Sequence, residues 1–273
     1  RLKILNSLDV KSNRELKNKL VKFNSLKNFI TICAPFIFSN KFIKLRNDKI
    51  SLMLKIIQIK NKTIETIIFI FRCLSNQIFA DRINFEKKIF FFSNRITDQY
   101  NIYPLSNYLL KNDINHTLLF NGNSEVLKKI EDKFKKRIYQ LKNFFIISDF
   151  LKGYFNFFNK KKEIIKLCKI LNFKGKKKKK IYNFFISFFM HKELFKRIFK
   201  NQQIDIVLAN KFNSPDLCSL IYHLKYEKNN KNFLSISYAL IGVGGESSLY
   251  IHSNSNIVLT TSKDDSQILS EIK

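Results

Sequence analysis

Ile204-Asp205-Ile206-Val207-Leu208-Ala209, followed closely by Asn213-Ser214-Pro215-Asp216, decides the fold. The first stretch is a short apolar run rich in β-branched residues, as expected of a strand covered on both faces in a parallel sheet. The second is built like a helix start. Ser214 can cap, Pro215 suits the first helical position, and Asp216 favours the positive end of the helix dipole. Leu217, Leu220, Ile221 and Leu224 then recur at helical spacing. Ser235 to Val243 reads as a second strand, broken by Gly242, Gly244 and Gly245, and Asn256 to Thr260 as a third. Ser262-Lys263-Asp264-Asp265 begins a last helix, with Asp265 three residues after a capping serine. Strands and helices alternating at this length predict a mostly parallel sheet covered by helices.

The same alternation extends upstream. Leu52 to Ile59 reads as a strand, and Asn61 caps a helix whose face of Ile64, Ile67, Ile68, Phe71 and Leu74 is assigned to the core. Lys88 to Arg95 is a strand with its exit turn. Pro104 to Leu110 is a helix with Leu105, Tyr108 and Leu109 facing inward, and Thr117 to Phe120 is a further strand. From Ser124 to about Asn201 the character changes. Val126, Leu127, Ile130, Phe134, Ile138 and Leu141 recur at helical spacing among charged neighbours, the pattern of an exposed amphipathic helix. A second basic helix follows Gly153 and runs through Leu171, and Ile181 to Phe199 is a third, apolar on most faces. Between these two lie Gly175 and the unbroken run Lys176 to Lys180, expected at a loop.

Composition restricts the partners. The chain has 273 residues and a net charge of +29, from 50 Lys and Arg against 21 Asp and Glu. Lys, Asn, Ile and Phe are favoured in A/T-rich genomes, which accounts for 29 Phe but not for the shortage of acids. Such an excess suits a polyanion, whose condensed counterions are released on binding. Four scattered cysteines and four scattered histidines show no metal-ligand or redox spacing. Cys33, Cys73, Cys168 and Cys218 fit a reducing compartment as buried thiols. No apolar run approaches the ~18 residues of a membrane helix. The basic N-terminal extension, residues 1–28, is compatible with a targeting peptide, although Asp9 and Glu15 argue against one.

Motifs for chemistry are sparse. Gly242-Val243-Gly244-Gly245 follows a strand but lacks both dinucleotide and P-loop spacing, and a tight turn accounts for it better. Asp264 and Asp265 sit at a helix start, where capping explains the pair. No nucleophile elbow exists. The expectation is therefore a non-catalytic chain without cofactor or metal. The basic residues with a role are Lys128, Lys129, Lys133, Lys135, Lys136 and Arg137 on one helix, and Lys174, Lys176, Lys177, Lys178, Lys179 and Lys180 around Gly175. They suit contacts to RNA backbone, which position without reading sequence.

The succession Asp205-Ile206-Val207-Leu208, helix, Ala239-Leu240-Ile241-Gly242-Val243, Ile257-Val258-Leu259 and Asp264-Asp265-Ser266-Gln267-Ile268-Leu269-Ser270 resembles the C-terminal half of the small ribosomal subunit protein number two family. Ala34-Pro35-Phe36-Ile37-Phe38 and Lys88-Ile89-Phe90-Phe91-Phe92-Ser93-Asn94-Arg95 are similar to early stretches of that family. Gly244-Gly245-Glu246 stands where the family has Asp-Thr-Asn, and the chain has no Trp where the family has its Trp-Leu-Gly-Gly segment. The resemblance implies an α/β domain of flavodoxin/Rossmann-like topology over residues 29–123 and 202–273. It also implies a protruding, coiled-coil-like helical insertion over 124–201. Strands or a core position within that insertion would contradict both the topology and the resemblance. It further implies binding to small-subunit ribosomal RNA and neighbouring ribosomal proteins. A/T-type composition, with the departures from the family's motifs, points to an organellar ribosome, the mitochondrial one first and that of another organelle as the alternative. The rival expectations are a nucleotide-dependent or nucleic-acid-processing enzyme on a doubly wound sheet, and a lineage-specific RNA-binding scaffold.

Overall fold

A computed structural model describes residues 28–30, 32–33, 36–37, 67–76, 88–93, 102–122, 138–210, 212–230, 232–237 and 254–259. Its described strands are β1 (Ile89–Ser93), β2 (Thr117–Phe120), β3 (Ile138–Gln140), β4 (Ile206–Ala209), β5 (Leu234–Ser237) and β6 (Ile257–Val258). The longer helices are α1 (Ile102–Lys111), α2 (Ile147–Ile170), α3 (Gly175–Ile198) and α4 (Pro215–Tyr222). All neighbouring strands pair in parallel, in the order β3-β2-β1-β4-β5-β6. That is the strand order of a Rossmann-type doubly wound sheet, with its switch point between β1 and β4.

Side-chain alternation along the strands sorts the core into two layers. Phe90 and Phe92 of β1, Leu119 of β2, and Val207 and Ala209 of β4 join the cluster built on α2, α3 and α4. Phe91, Leu118, Phe120 and Leu208 pack with Ile102 and Tyr103 of α1 on the opposite face. The fold is thus three layers, with α1 on one side and α2, α3 and α4 on the other, joined there by the helical stretches around residues 28–37 and 67–76. The start of α4 falls where the sequence puts it, with Pro215 at its first turn and Leu217, Leu220, Ile221 and Leu224 buried.

Several expectations are corrected. Ile138–Gln140 is a strand paired with β2, not part of an exposed helix. Val126, Leu127, Ile130 and Phe134, which carry most of that helical periodicity, lie outside the described residues, and β2 offers Ile138–Gln140 a parallel partner. α3 does not protrude. It lies on the sheet, with Phe199 edge-on to Phe90 at 5.0 Å and Phe195 edge-on to Phe92 at 6.2 Å. A helix apolar on most faces has to be buried, and Phe184, Phe185, Phe188 and Phe189 all are. β3 and the buried α3 meet the condition stated against the resemblance over residues 124–201, so that part of it is contradicted and only the order of elements on either side remains. In the helical stretch 67–76, Ile67, Ile68, Phe71 and Leu74 are exposed, and Cys73 and Phe69 turn inward instead, the latter against Phe145 and Phe150. Tyr108 of α1 likewise points outward. The expected strand Leu52 to Ile59, the glycines Gly242, Gly244 and Gly245, and the pair Asp264 and Asp265 lie outside the described residues.

The α2–α3 contact depends on Gly153. A Cβ there would sit 2.7 Å from the Cα of Met190 and 2.8 Å from its backbone nitrogen. Replacing an exposed helical glycine by alanine stabilises by about 0.5–1 kcal/mol. Here the sign reverses: Gly153→Ala is expected to cost about 1–3 kcal/mol through overpacking, read as a lowered urea midpoint.

Candidate nucleic-acid interface

The turn between α2 and α3 is set by local hydrogen bonding. α2 ends with Asn172 in the left-handed region at φ 54°. The Asn172 N–H donates to the Lys169 carbonyl at 3.1 Å and the Phe173 N–H to the Cys168 carbonyl at 2.8 Å. These are the two bonds of a Schellman stop, with Phe173 and Cys168 both buried beneath it. α3 begins only three residues later, at Gly175, whose φ is 48°.

Lys176 to Lys180 form the first turns of α3 rather than a loop, which corrects the sequence expectation. Lysine is a good helix former, and Asn172, not the lysine run, supplies the break. The arrangement is electrostatically unfavourable by itself. Lys174 makes no side-chain cap, the first turn holds no acid, and five cations crowd the positive end of a 24-residue helix. Lys174, Lys176, Lys179 and Lys180 are exposed, and Lys177 and Lys178 are half-buried. Lys178 lies over the Tyr182 ring at 5.5 Å. Lys169, Asn172, Lys174 and Lys178 also line a cleft of about 370 Å³ at the turn, whose lining includes no carboxylate. Lys128, Lys129, Lys133, Lys135, Lys136 and Arg137 lie outside the described residues.

The acids of the hairpin are spent internally. Asp149 is buried, accepts the Ile146 N–H at 3.1 Å, and is gripped by Arg197 through Nε at 3.2 Å and Nη2 at 2.7 Å. Glu163 pairs with Lys160 at 3.3 Å. Glu193 accepts from Asn156 at 2.8 Å and pairs with Lys192 at 3.0 Å. Lys192 reaches on to Glu227 at 2.9 Å, and His223, in the π-helical turn His223–Glu227, donates to the same carboxylate at 2.7 Å. Burial alone would raise the Glu227 pKa, but the hydrogen bonds and charges of His223 and Lys192 outweigh it and hold the group at about 2. The Lys160–Glu163 and His223–Glu227 pairs are readable from the sequence as i,i+3 and i,i+4 spacings. Asp149 with Arg197, Asn156 with Glu193, and Lys192 with Glu227 are joined by the fold alone.

The switch-point side of the sheet is also polar. Asn121 donates to Asp216 at 2.8 Å, and Ser93 and Tyr103 share a hydrogen bond at 3.2 Å. Asn254 donates to the carbonyls of Ile32 and Phe212 at 2.7 and 3.1 Å. Among the described residues, the side-chain Oδ1 of Asn210 and the Ser214 hydroxyl are buried without a hydrogen-bond partner. One pair invisible to motif reading is Ser106 Oγ with His116 Nε2 at 2.6 Å, both buried. The Nδ1 of His116 faces the Ile114 carbonyl at 3.2 Å, and the pair ties α1 to the start of β2. Among the described residues no group of three His, Cys, Asp or Glu could hold a metal ion, and no helix is long and apolar enough to cross a membrane.

The depressed pKa of Glu227 gives the fold an acid-sensitive component. A carboxyl that titrates lower when folded stabilises above its unfolded pKa, near the usual 4.5, and loses that contribution as pH falls toward about 2. Urea midpoints should therefore fall between about pH 4.5 and 2 in the native chain, and Glu227→Gln should flatten that fall. No family model, curated protein or solved structure matches this chain.

Proposed function

We propose that this chain is a non-catalytic RNA-binding component of a ribonucleoprotein. In its specific form the proposal is a small ribosomal subunit protein of the number two type, working in mitochondrial translation with ribosomal RNA and neighbouring proteins as partners. One observation carries the RNA-binding reading: the lysines at the α2–α3 turn stack at a helix N-terminus, while the acids of both helices are engaged in internal pairs. Cations at that end of a helix raise the energy of the free protein, and phosphates lower it. A net charge of +29 extends the same preference over the chain. The ribosomal form rests on the order of strands and helices outside the hairpin, and the exposed apolar residues of stretch 67–76 suit a protein neighbour.

The first test is binding of the full chain to RNA across a salt series. Affinity should fall steeply with salt, and Lys174→Gln, Lys178→Gln and Lys179→Gln combined should flatten the log–log slope by about two, at roughly 0.7 per phosphate contact on a single strand. A salt-independent affinity, or an unchanged slope in the triple variant, contradicts the reading. The ribosomal form is tested by gradient sedimentation of organelle extract: the protein should travel with the small subunit and leave that fraction after ribonuclease treatment. Migration free of any ribonucleoprotein contradicts it.

A further inference from the structure

The outer face of α2 carries an exposed row of apolar side chains, of which Phe158 meets the buried Phe157 edge-on at 5.9 Å. Leu151, Tyr154, Phe155 and Phe158 recur at spacings of three and four, so they form one stripe. Their relative exposures are 66, 42, 66 and 59%, while Phe157 of the same helix is buried. The stripe continues toward the turn as Lys162 and Lys166, both exposed. Lys161 Nζ lies 5.4 Å from the centre of the Phe158 ring.

We propose that this face binds unpaired RNA, its rings stacking on bases and its lysines holding the adjoining phosphates. The inference rests on the RNA-binding reading above and says which form of RNA that site takes. Tyr154 and Phe158 are separated by about 6 Å along the helix axis, so their rings can receive different bases. A duplex keeps its bases stacked inside and would offer these rings nothing. Aromatic platforms set among cations are the general means of holding single strands without sequence preference. A second copy of the chain is disfavoured as occupant, because it would bring a charge of +29 against the same lysines. The charge complementarity of this face is to a polyanion.

The test compares two RNAs on the full chain: a labelled single-stranded oligouridylate and a labelled duplex of equal length, measured by fluorescence anisotropy. The variants are Phe155→Ala with Phe158→Ala, Phe155→Leu with Phe158→Leu, and Phe155→Trp. Both positions are exposed, and an unchanged urea midpoint verifies the fold. The alanine and leucine pairs should each weaken single-strand binding by roughly five- to 150-fold per lost stack, leaving duplex affinity and salt slope as in the native chain. Phe155→Trp should keep the native single-strand affinity. A leucine pair that binds the single strand normally overturns the proposal and marks the stripe as an apolar docking face for protein. Equal losses on both RNAs also overturn it. Native chain that binds duplex with steep salt dependence, with alanine variants indistinguishable from it on both RNAs, overturns stacking and leaves the RNA-binding reading standing. Native chain that binds neither RNA removes both.

Discussion

The packing of α3 against the sheet is the constraint on which the rest depends. Phe195 and Phe199 stack on each other at 5.7 Å and meet the rings of β1 edge-on. The same helix touches α2 through the Gly153–Met190 approach and α4 through Phe188 against Tyr222 at 5.8 Å. It also anchors Phe36, which stacks on Phe184 at 3.9 Å, and Phe29, which meets Phe188 edge-on at 5.6 Å. Full burial of one such side chain contributes about 1.5–3 kcal/mol, against a net domain stability of about 5–15 kcal/mol. A few rings on α3 therefore decide whether the layers hold together.

That packing also sorts the charge. The C-terminal half of α3 sits deep, so its ionic groups need partners inside: Lys192 lies between Glu193 and Glu227, and Arg197 grips Asp149. Breaking such buried pairs is costly, because the remaining charge is left without solvent or partner. The first turns of α3 reach the surface, and their ionic groups are lysines, Lys176 to Lys180, with no acid. One helix thus holds a paired ionic base and a lysine-rich end. The base fixes where the end points, and the end is where an anion gains most.

The sheet was legible in the sequence because buried parallel strands are short apolar runs bounded by turn chemistry. Lys88 to Arg95, Thr117 to Phe120 and Ile204 to Ala209 each satisfy that rule, and Ser214-Pro215-Asp216 announces α4. The hairpin was legible as two helices but not as to their burial. Five lysines at one end of α3 mask an otherwise apolar helix, and charge density was read as projection. β3 was missed because a three-residue edge strand carries almost no periodicity. The acid–base pairs were missed for another reason: Asp149 and Arg197 are 48 residues apart, and only the antiparallel hairpin joins them. In stretch 67–76 the periodicity located a helix, but periodicity does not say which of two apolar faces meets the core. Phe69 and Cys73 turn inward.

The most direct test of the account is to irradiate the native protein in its cellular extract with ultraviolet light and map RNA-crosslinked peptides by mass spectrometry. The account predicts crosslinks concentrated between residues 151 and 180, on the outer face of α2 and the first turns of α3. Crosslinks confined to the switch-point side, around Asn121, Asn210 and Ser214, or the absence of RNA adducts on the protein, would contradict it.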